Sequence, residues 1–307
     1  MIVMTKMAKM TRIIRPRKIL LQFNTLLIIA VIGFFGAAFS LPILVTITNS
    51  FMTAFEIANR YSMAVLPTNY FRLLADFDNF NFVDMALVPA WASLGQYFAI
   101  LVDAVYLGHL WNSILITVPS LVGQLLIAIP AAYALELSQW RHKEKLFFVY
   151  IIVMLMPLPV VLVPQFVVTG FLGIRESVLA IILPAAASPF GVFLLRQFLK
   201  TISMECLEAA KIDGASHTVI LLQIVTPLLK PAIAALAILV FIDYWNVVEQ
   251  AIIFLPTIAQ LPLSVTLTHL NPDVIFAASC FYMIPALLVF MYGQEYLIDG
   301  IQLSGLK

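Results

Sequence analysis

Charged residues are scarce in this sequence. Only 11% of its 307 residues are Asp, Glu, Lys or Arg, whereas 63% are hydrophobic. A soluble domain usually carries about 25% charged residues. The mean hydropathy of +1.03 excludes a soluble globular domain, a disordered chain and a nucleic-acid-binding protein. The two cysteines, Cys206 and Cys280, are too few and too far apart for a disulfide framework or a zinc site. An integral membrane protein remains.

Motifs for catalysis and nucleotide binding are also missing. None of the 12 glycines begins a phosphate-binding loop, because no Gly-Lys pair is followed by Ser or Thr. No two of the four histidines have the spacing of metal ligands, and no Gly-x-Ser-x-Gly sequence occurs. We therefore expect no catalytic residues, no metal and no cofactor bound by this chain.

Long apolar segments predict six transmembrane helices, because a helix needs about 20 mostly apolar residues to cross a bilayer. The predicted spans cover residues 20–51, 111–135, 146–169, 178–195, 228–248 and 274–292. The first apolar segment is too long for a cleavable signal peptide. We expect an all-α integral membrane protein in which a basic tail, residues 1–19, precedes a single transmembrane domain, residues 20–307.

The positions of lysine and arginine predict the orientation, since cytoplasmic loops are enriched in both. With the amino terminus inside, all but three of the 17 basic residues fall on the cytoplasmic side, and the exceptions are Arg60, Arg72 and Arg175. Both termini are thus predicted to be cytoplasmic. A long loop, residues 53–106, lies outside; loops of this length usually contain secondary structure, so we expect a helix near residues 91–105.

The cytoplasmic loop 196–227 carries the most specific pattern. Residues 205–212 suit a short helix with acidic residues at its amino-terminal end, and Gly214 is placed to end it in a left-handed conformation. Residues 215–224 suit a second helix that ends before Pro227.

The spacing in this loop resembles the EAA loop of permease subunits from binding-protein-dependent ABC importers. That pattern is Glu-Ala-Ala, three residues, Gly, nine residues, Ile, one residue and a dipeptide that ends in Pro. The corresponding residues here are Glu208, Ala209, Ala210, Gly214, Ile224, Thr226 and Pro227. The family usually has Leu before the proline, so Thr226 is a departure that we expect to change local packing.

Shorter matches look like the carbohydrate branch of that family. They are Asn112-Ser113, residues 131–135, Trp245-Asn246 and residues 296–300. The likeness covers about residues 107–307 and is greatest to the smaller permease subunit of maltose-type importers. It implies a type I ABC importer permease fold with six transmembrane helices, in a prokaryotic cell membrane.

The resemblance also implies a mechanism and partners. In this family the EAA segment is a coupling helix that docks on a cytoplasmic ATPase subunit, which assigns ATPase coupling to Glu208, Ala209, Ala210, Asp213 and Gly214. The implied partners are a second permease subunit, two copies of an ATP-binding subunit that hold ATP and magnesium, and an extracytoplasmic solute-binding protein. The chain itself is then a non-catalytic half of a translocation pathway, surrounded by lipid.

Polar residues within a span are candidates for that pathway, because they are costly inside a bilayer. Such residues cluster in and just after the fifth span: Asp243, Tyr244, Trp245, Asn246, Glu249 and Gln250. At about 100° per residue, Asp243, Asn246 and Gln250 share an arc of about 60°. Aromatic rings beside hydrogen-bonding groups suit a sugar. The alternative is that these polar groups only hold helices together.

Two other spans have unusual features. The second contains a polar stripe whose small hydroxyl residues favour helix packing over solute binding. The stripe consists of Ser113, Thr117, Ser120 and Gln124. The third contains three prolines, at positions 157, 159 and 164. These must interrupt its hydrogen bonds and bend it, so we expect this span to line the pathway.

A carbohydrate is the favoured solute, with glycerol phosphate or a polyol as the alternative. The predicted spans contain no Lys or Arg in their interior to bind an anion, which favours a neutral sugar. An ion-coupled carrier using Asp243 and Glu249 as proton sites would leave the EAA segment unexplained and predicts an inverted repeat, which the sequence does not display. A membrane-embedded enzyme would need convergent reactive side chains, and the sequence contains no motif that would supply them.

Overall fold

Every regular element in the described part of the chain is a helix. The structure is a computed structural model that describes residues 2–61 and 88–305, with side chains for residues 25–61, 88–203 and 205–296. The chain divides into two compact units, Met1–Gln96 and Tyr97–Lys307.

The first unit is built on helix α1, Ile2–Asn49, and the short helix α2, Ala54–Tyr61. Helix α1 begins at Ile2, so the basic amino-terminal segment is helical and continuous with the first span. The Gln96 side chain donates from Nε2 to the carbonyl oxygens of Asn49 and Met52, at 2.8 and 2.9 Å. These bonds fix the turn that follows the membrane helix.

The predicted extracytoplasmic loop contains the helical structure that its length indicated. Besides α2, helix α3 spans Gly95–Val102, within the range where a helix was expected. Residues 62–87 of this loop lie outside the described part of the chain.

The second unit contains the remaining helices. In chain order they are α4 Ala104–Leu137, α5 Lys143–Met154, α6 Leu158–Phe171, α7 Leu179–Ala186, α8 Pro189–Leu199, α9 Met204–Ile212, α10 His217–Leu228, α11 Lys230–Trp245, α12 Glu249–Phe254 and α13 Ile275–Gly305. Short helical turns connect α12 to α13.

Helices long and apolar enough to cross a membrane match the six predicted segments. Four pass this test alone: Thr25–Asn49, Ala104–Leu137, Leu179–Leu199 and Pro272–Tyr296. Two bent pairs, α5 with α6 and α10 with α11, bring the number to as many as six among the described residues. The angle between α5 and α6 is 106°, at the prolines that predicted a bend, so that prediction is confirmed.

Small residues allow the helices of the second unit to approach closely. A Cβ atom on Gly123 of α4 would lie 2.8 Å from Ala186 Cβ of α7, and one on Gly191 of α8 would lie 3.0 Å from Ala128 Cβ of α4. Membrane helices generally associate through such small residues, because no hydrophobic driving force operates between them in lipid.

The polar stripe of α4 lies on the buried face of that helix, whereas Val118, Val122 and Leu126 are exposed on the opposite face. At the amino-terminal end of the stripe, Ser113 Oγ accepts a hydrogen bond from the Leu263 amide at 2.8 Å. Farther along, Thr117 Oγ1, Ser120 Oγ and Gln124 Oε1 are buried without a hydrogen-bond partner among the described residues.

Candidate functional site

A cavity of the second unit lies where three breaks between helices meet. It has a volume of about 550 Å³ and is lined at the α5–α6 bend, at the α7–α8 break and at the junction of α11 with α12. Non-helical backbone at membrane depth is tolerated only where it is buried in protein or lines a cavity. The three breaks therefore suit a polar passage within the membrane.

Five of the six residues predicted for the pathway line this cavity. They are Asp243, Tyr244, Asn246, Glu249 and Gln250. Helix α11 ends at Trp245, and α12 begins again at Glu249, so the last two residues reach the cavity from a separate helix. Gln165, which the sequence did not single out, joins them and donates from Nε2 to the Ala180 carbonyl at 3.1 Å.

The sixth residue, Trp245, lies behind the cavity wall. Its side chain is 2% exposed, and its ring stacks on the rings of Phe241 and Tyr282, with both centroids 5.5 Å away. Trp245 Nε1 donates to the Tyr282 carbonyl at 3.1 Å. The Tyr282 hydroxyl lies 2.9 Å from the Trp245 carbonyl and 2.8 Å from Asn246 Oδ1, so two acceptors share its proton. This arrangement leaves no ring face of Trp245 for a solute and instead holds Asn246 at the wall.

The charged side chains that line the cavity are all acidic among the described residues. Asp243 and Glu249 contribute two carboxylates, and no lysine, arginine or histidine lines it among the described residues. Within the same ranges, no group of three His, Cys, Asp or Glu side chains is placed to hold a metal ion. The cavity can accept hydrogen bonds from hydroxyl groups, and it repels anions.

The EAA segment forms two helices around a glycine corner. Helix α9 ends at Ile212, Asp213 follows as its C-cap, and Gly214 has φ +83°. The Gly214 amide donates to the Lys211 carbonyl and the Ala215 amide to the Ala210 carbonyl, at 3.1 and 3.0 Å. This is the double hydrogen bond of a left-handed helix stop. The prediction that Gly214 ends the helix in a left-handed conformation is confirmed.

One side of this segment is anchored and the other is open. Leu207 on α9 and Ile220 and Val225 on α10 are buried in the core of the second unit. The residues predicted for coupling are exposed or half-buried, and the neighbouring Ile212 presents an exposed apolar side chain. The structure thus offers Glu208 and Ala209 at a surface that is fixed from behind.

Helix α10 differs from its prediction. It continues through Pro227 to Leu228, so the expectation that it ends before Pro227 is wrong. The reason is a π-helical stretch at Ile220–Val225, in which the Thr226 amide and its Oγ1 both bond to the Leu221 carbonyl, Oγ1 at 2.7 Å. This wider turn admits a proline that cannot donate. The residue before the proline is usually Leu in the family, so the hydrogen bond from Thr226 Oγ1 is the local consequence of having Thr at this position.

A buried arginine beside this segment escaped the sequence reasoning, which counted Arg196 only as a loop charge. Its side chain is 1% exposed. Nε pairs with Glu136 Oε2 at 2.9 Å and Nη2 with Glu144 Oε1 at 2.5 Å, while the guanidinium carbon lies 3.9 Å above the Phe147 ring. We refer to Arg196, Glu136 and Glu144 as the arginine clamp. It joins α4, α5 and α8.

The clamp adjoins the EAA segment. A cavity of about 440 Å³ is lined by Glu136 and Glu144 of the clamp and by Leu207, Glu208 and Lys211 of α9. No pattern along the chain could reveal this relationship, because the paired residues lie 60 and 52 positions apart.

Comparison with known proteins assigns the family. Residues 107–301 match the model of the binding-protein-dependent transport system inner membrane component. The chain belongs to this family. It is an inner-membrane permease subunit of a transport system, which agrees with the function expected from the EAA spacing.

Relatives within the family are named for carbohydrate or osmolyte uptake. The arabinooligosaccharide transport permease AraQ of Bacillus subtilis is 29% identical over 210 residues, which is 66% of this chain and 75% of the relative. The osmoprotective compounds uptake permease GgtD of Synechocystis is 32% identical over 205 residues, or 64% of this chain and 69% of the relative.

A solved structure confirms the fold. A chain of a bacterial ABC transporter that imports the acidic polysaccharide alginate matches with a TM-score of 0.74 at 23% identity, over 90% of this chain and 96% of that chain. The all-helical permease fold expected from the sequence is therefore confirmed, and the orientation of the termini stays a prediction.

Proposed function

We propose that this chain forms half of the membrane pathway of an ATP-driven importer for a neutral sugar or oligosaccharide. The observation that carries the proposal is the 550 Å³ cavity at the three helix breaks, which is lined by carboxylates, amides and a tyrosine and by no cation among the described residues. Hydroxyl-rich neutral solutes fit this lining, because each carboxylate or amide oxygen can accept hydrogen bonds from sugar hydroxyls.

The names of the relatives support the solute class. Family members similar to this chain are named for arabinooligosaccharides, lactose and α-glucosides, all of which are neutral. One relative is named for polygalacturonan and rhamnogalacturonan, and the structural relative imports alginate. Because no cation is among the described lining residues, the cavity favours a neutral solute over an acidic one.

The proposed coupling runs through the EAA segment. Glu208, Ala209, Ala210, Asp213 and Gly214 form the contact with an ATPase subunit, and both termini lie in the cytoplasm. Two copies of that subunit bind ATP and magnesium, a second permease completes the pathway, and an extracytoplasmic binding protein delivers the solute. Similarity to a transporter solved in complex with an alginate pentasaccharide-bound periplasmic protein supports the last partner.

The test begins with affinity purification of this chain in mild detergent, followed by identification and counting of the co-purifying proteins. We expect a second permease and two copies of the ATPase subunit to co-purify. We also expect the complete transporter in proteoliposomes to take up a neutral trisaccharide only when ATP is present. Recovery of the chain alone, or as a self-dimer that still transports without ATP, would overturn the proposal.

A further inference from the structure

A smaller cavity adjoins the main one. Its volume is about 240 Å³, and it shares Ser188, Phe190, Asp243 and Tyr244 with the larger cavity. Its remaining wall comes from α4 and α11 and includes Gln124. Pockets for whole small-molecule ligands usually measure about 300–1,000 Å³. The main cavity falls in that range, whereas the smaller one suits a single ring or the end of a ligand. We call it the inner chamber.

Gln124 is the unusual residue of this chamber. It is 1% exposed, yet its Oε1 has no hydrogen-bond partner among the described residues. Buried polar atoms in native proteins are nearly always paired, and an unpaired one is unfavourable. The Gln124 side chain lines the chamber. Its oxygen has almost no accessible surface in the conformation shown, and it comes to face a hydroxyl donor in the chamber when the amide turns over and exchanges Oε1 with Nε2.

The backbone around Gln124 is adapted to its amide. A Cβ atom at position 191 would lie 2.9 Å from Gln124 Nε2 and 3.3 Å from its Cγ. Glycine at this position lets α8 pass close to the Gln124 side chain, which any larger residue at position 191 would displace.

The other residues that line the inner chamber provide hydrogen-bonding groups and aromatic rings. Asp243 supplies a carboxylate, Ser188 a hydroxyl, and Phe190 and Tyr244 supply rings. Acceptors beside aromatic rings match a sugar ring, which presents hydroxyl donors at its rim and C–H groups on its faces.

We propose that the inner chamber binds the terminal unit of the neutral solute, with Gln124 and Asp243 accepting hydrogen bonds from its hydroxyl groups. This rests on the proposed function and assigns to Gln124 a role in solute selection, in place of the helix-packing role that its sequence pattern predicted. The other members of the polar stripe keep the packing role.

The test uses the complete transporter with its binding protein in proteoliposomes, supplied with arabinotriose, maltotriose or trigalacturonate. Gln124→Met keeps the length of the side chain and removes the acceptor. It is expected to raise the KM for the transported neutral trisaccharide about tenfold, the effect of one lost hydrogen bond, with a smaller fall in maximal rate. Ser120→Ala is the matched control, since Ser120 is equally buried on the same stripe, lines neither cavity and is expected to keep the KM.

Each outcome decides between roles. An unchanged KM for Gln124→Met, or an equal rise for Ser120→Ala, overturns the inner chamber as a binding site. Uptake of trigalacturonate alone also overturns it, because a uronate would face Asp243. If Gln124→Met reduces assembly, Gln124→Asn keeps the amide one methylene shorter and is expected to raise the KM to an intermediate value; an unchanged KM in that variant overturns the assignment. If the wild-type transporter moves none of the three, the proposed function and the solute-binding role of the inner chamber that rests on it are both overturned.

Discussion

The Nε atom of Arg196 donates to Glu136 Oε2 across 2.9 Å and joins the carboxyl-terminal end of α4 to α8. The arginine is buried while Glu136 is 21% and Glu144 67% exposed. The two carboxylates therefore contribute unequally, since a water-exposed partner gains little from an ion pair.

We expect Glu136→Gln to lower the free energy of unfolding by about 2 kcal/mol, because it leaves a buried guanidinium without its less exposed counter-charge. Glu144→Gln is the control and should lower the free energy of unfolding by less, because its carboxylate is 67% exposed. Thermal unfolding of the purified transporter, followed by near-ultraviolet circular dichroism, measures both. A larger loss for Glu144→Gln would contradict this division.

Gly214 and Gly173 form a natural pair for testing the coupling role. Both have positive φ, +83° and +69°, and both end a helix with the same double hydrogen bond. A Cβ atom would meet no neighbour at either position. Valine should cost a similar 1–2 kcal/mol or so of backbone strain at both sites.

Gly214→Val should reduce uptake at least tenfold while the subunit still inserts into the membrane, because the corner between α9 and α10 is distorted. Gly173→Val, in a loop predicted to lie on the opposite side of the membrane, should keep uptake within about twofold. Uptake and membrane abundance are measured together. Equal uptake by the two variants would remove the reason for assigning coupling to this corner.

The two carboxylates of the main cavity are expected to differ in their effect on solute affinity. Asp243 lines both cavities, whereas Glu249 lines only the larger one. Asp243→Asn should therefore raise the concentration of neutral trisaccharide that half-maximally stimulates ATP hydrolysis by about tenfold, and Glu249→Gln by about twofold. If neither change alters stimulation or uptake, the polar cluster of α11 and α12 is structural.

The Tyr282 hydroxyl offers a test of the wall that holds Asn246. Tyr282→Phe keeps the ring stacked on Trp245 and removes the donor shared by the Trp245 carbonyl and Asn246 Oδ1. We expect a loss of about 1–2 kcal/mol in the free energy of unfolding. Tyr292→Phe, on the same helix with 83% exposure, should change it by less than about 0.5 kcal/mol. Denaturation of the two purified variants side by side decides this.

Local rules predicted the features that depend on local chemistry. The bend at Pro157 follows from a missing amide proton, and the left-handed turn at Gly214 from a missing Cβ atom. The position of Trp245 was not predicted, because its ring is held by Tyr282, which lies 37 positions away on another helix. The angular argument also assumed that one helix continues through Gln250, whereas the helix ends at Trp245, so Glu249 and Gln250 reach the cavity from a separate helix.

Features that depend on distant residues could not be predicted. The arginine clamp joins residues more than 50 positions apart, and nothing near Arg196 indicates that it is buried. Gln124 had the spacing of a packing residue, and its relation to Asp243 exists only because α8 and α11 pack against α4.

Helices α11 and α13 are fastened at two points. Gly293 lies so close to Ile238 that even a Cβ atom would overlap its side chain, and the Trp245–Tyr282 bonds close the other end. The two helices cannot slide or rotate relative to each other without breaking one of these contacts, so we expect them to move as one rigid body. If a partner displaces α9, the movement is then expected to change the 76° angle between α10 and α11, and Leu229 is the residue at that bend.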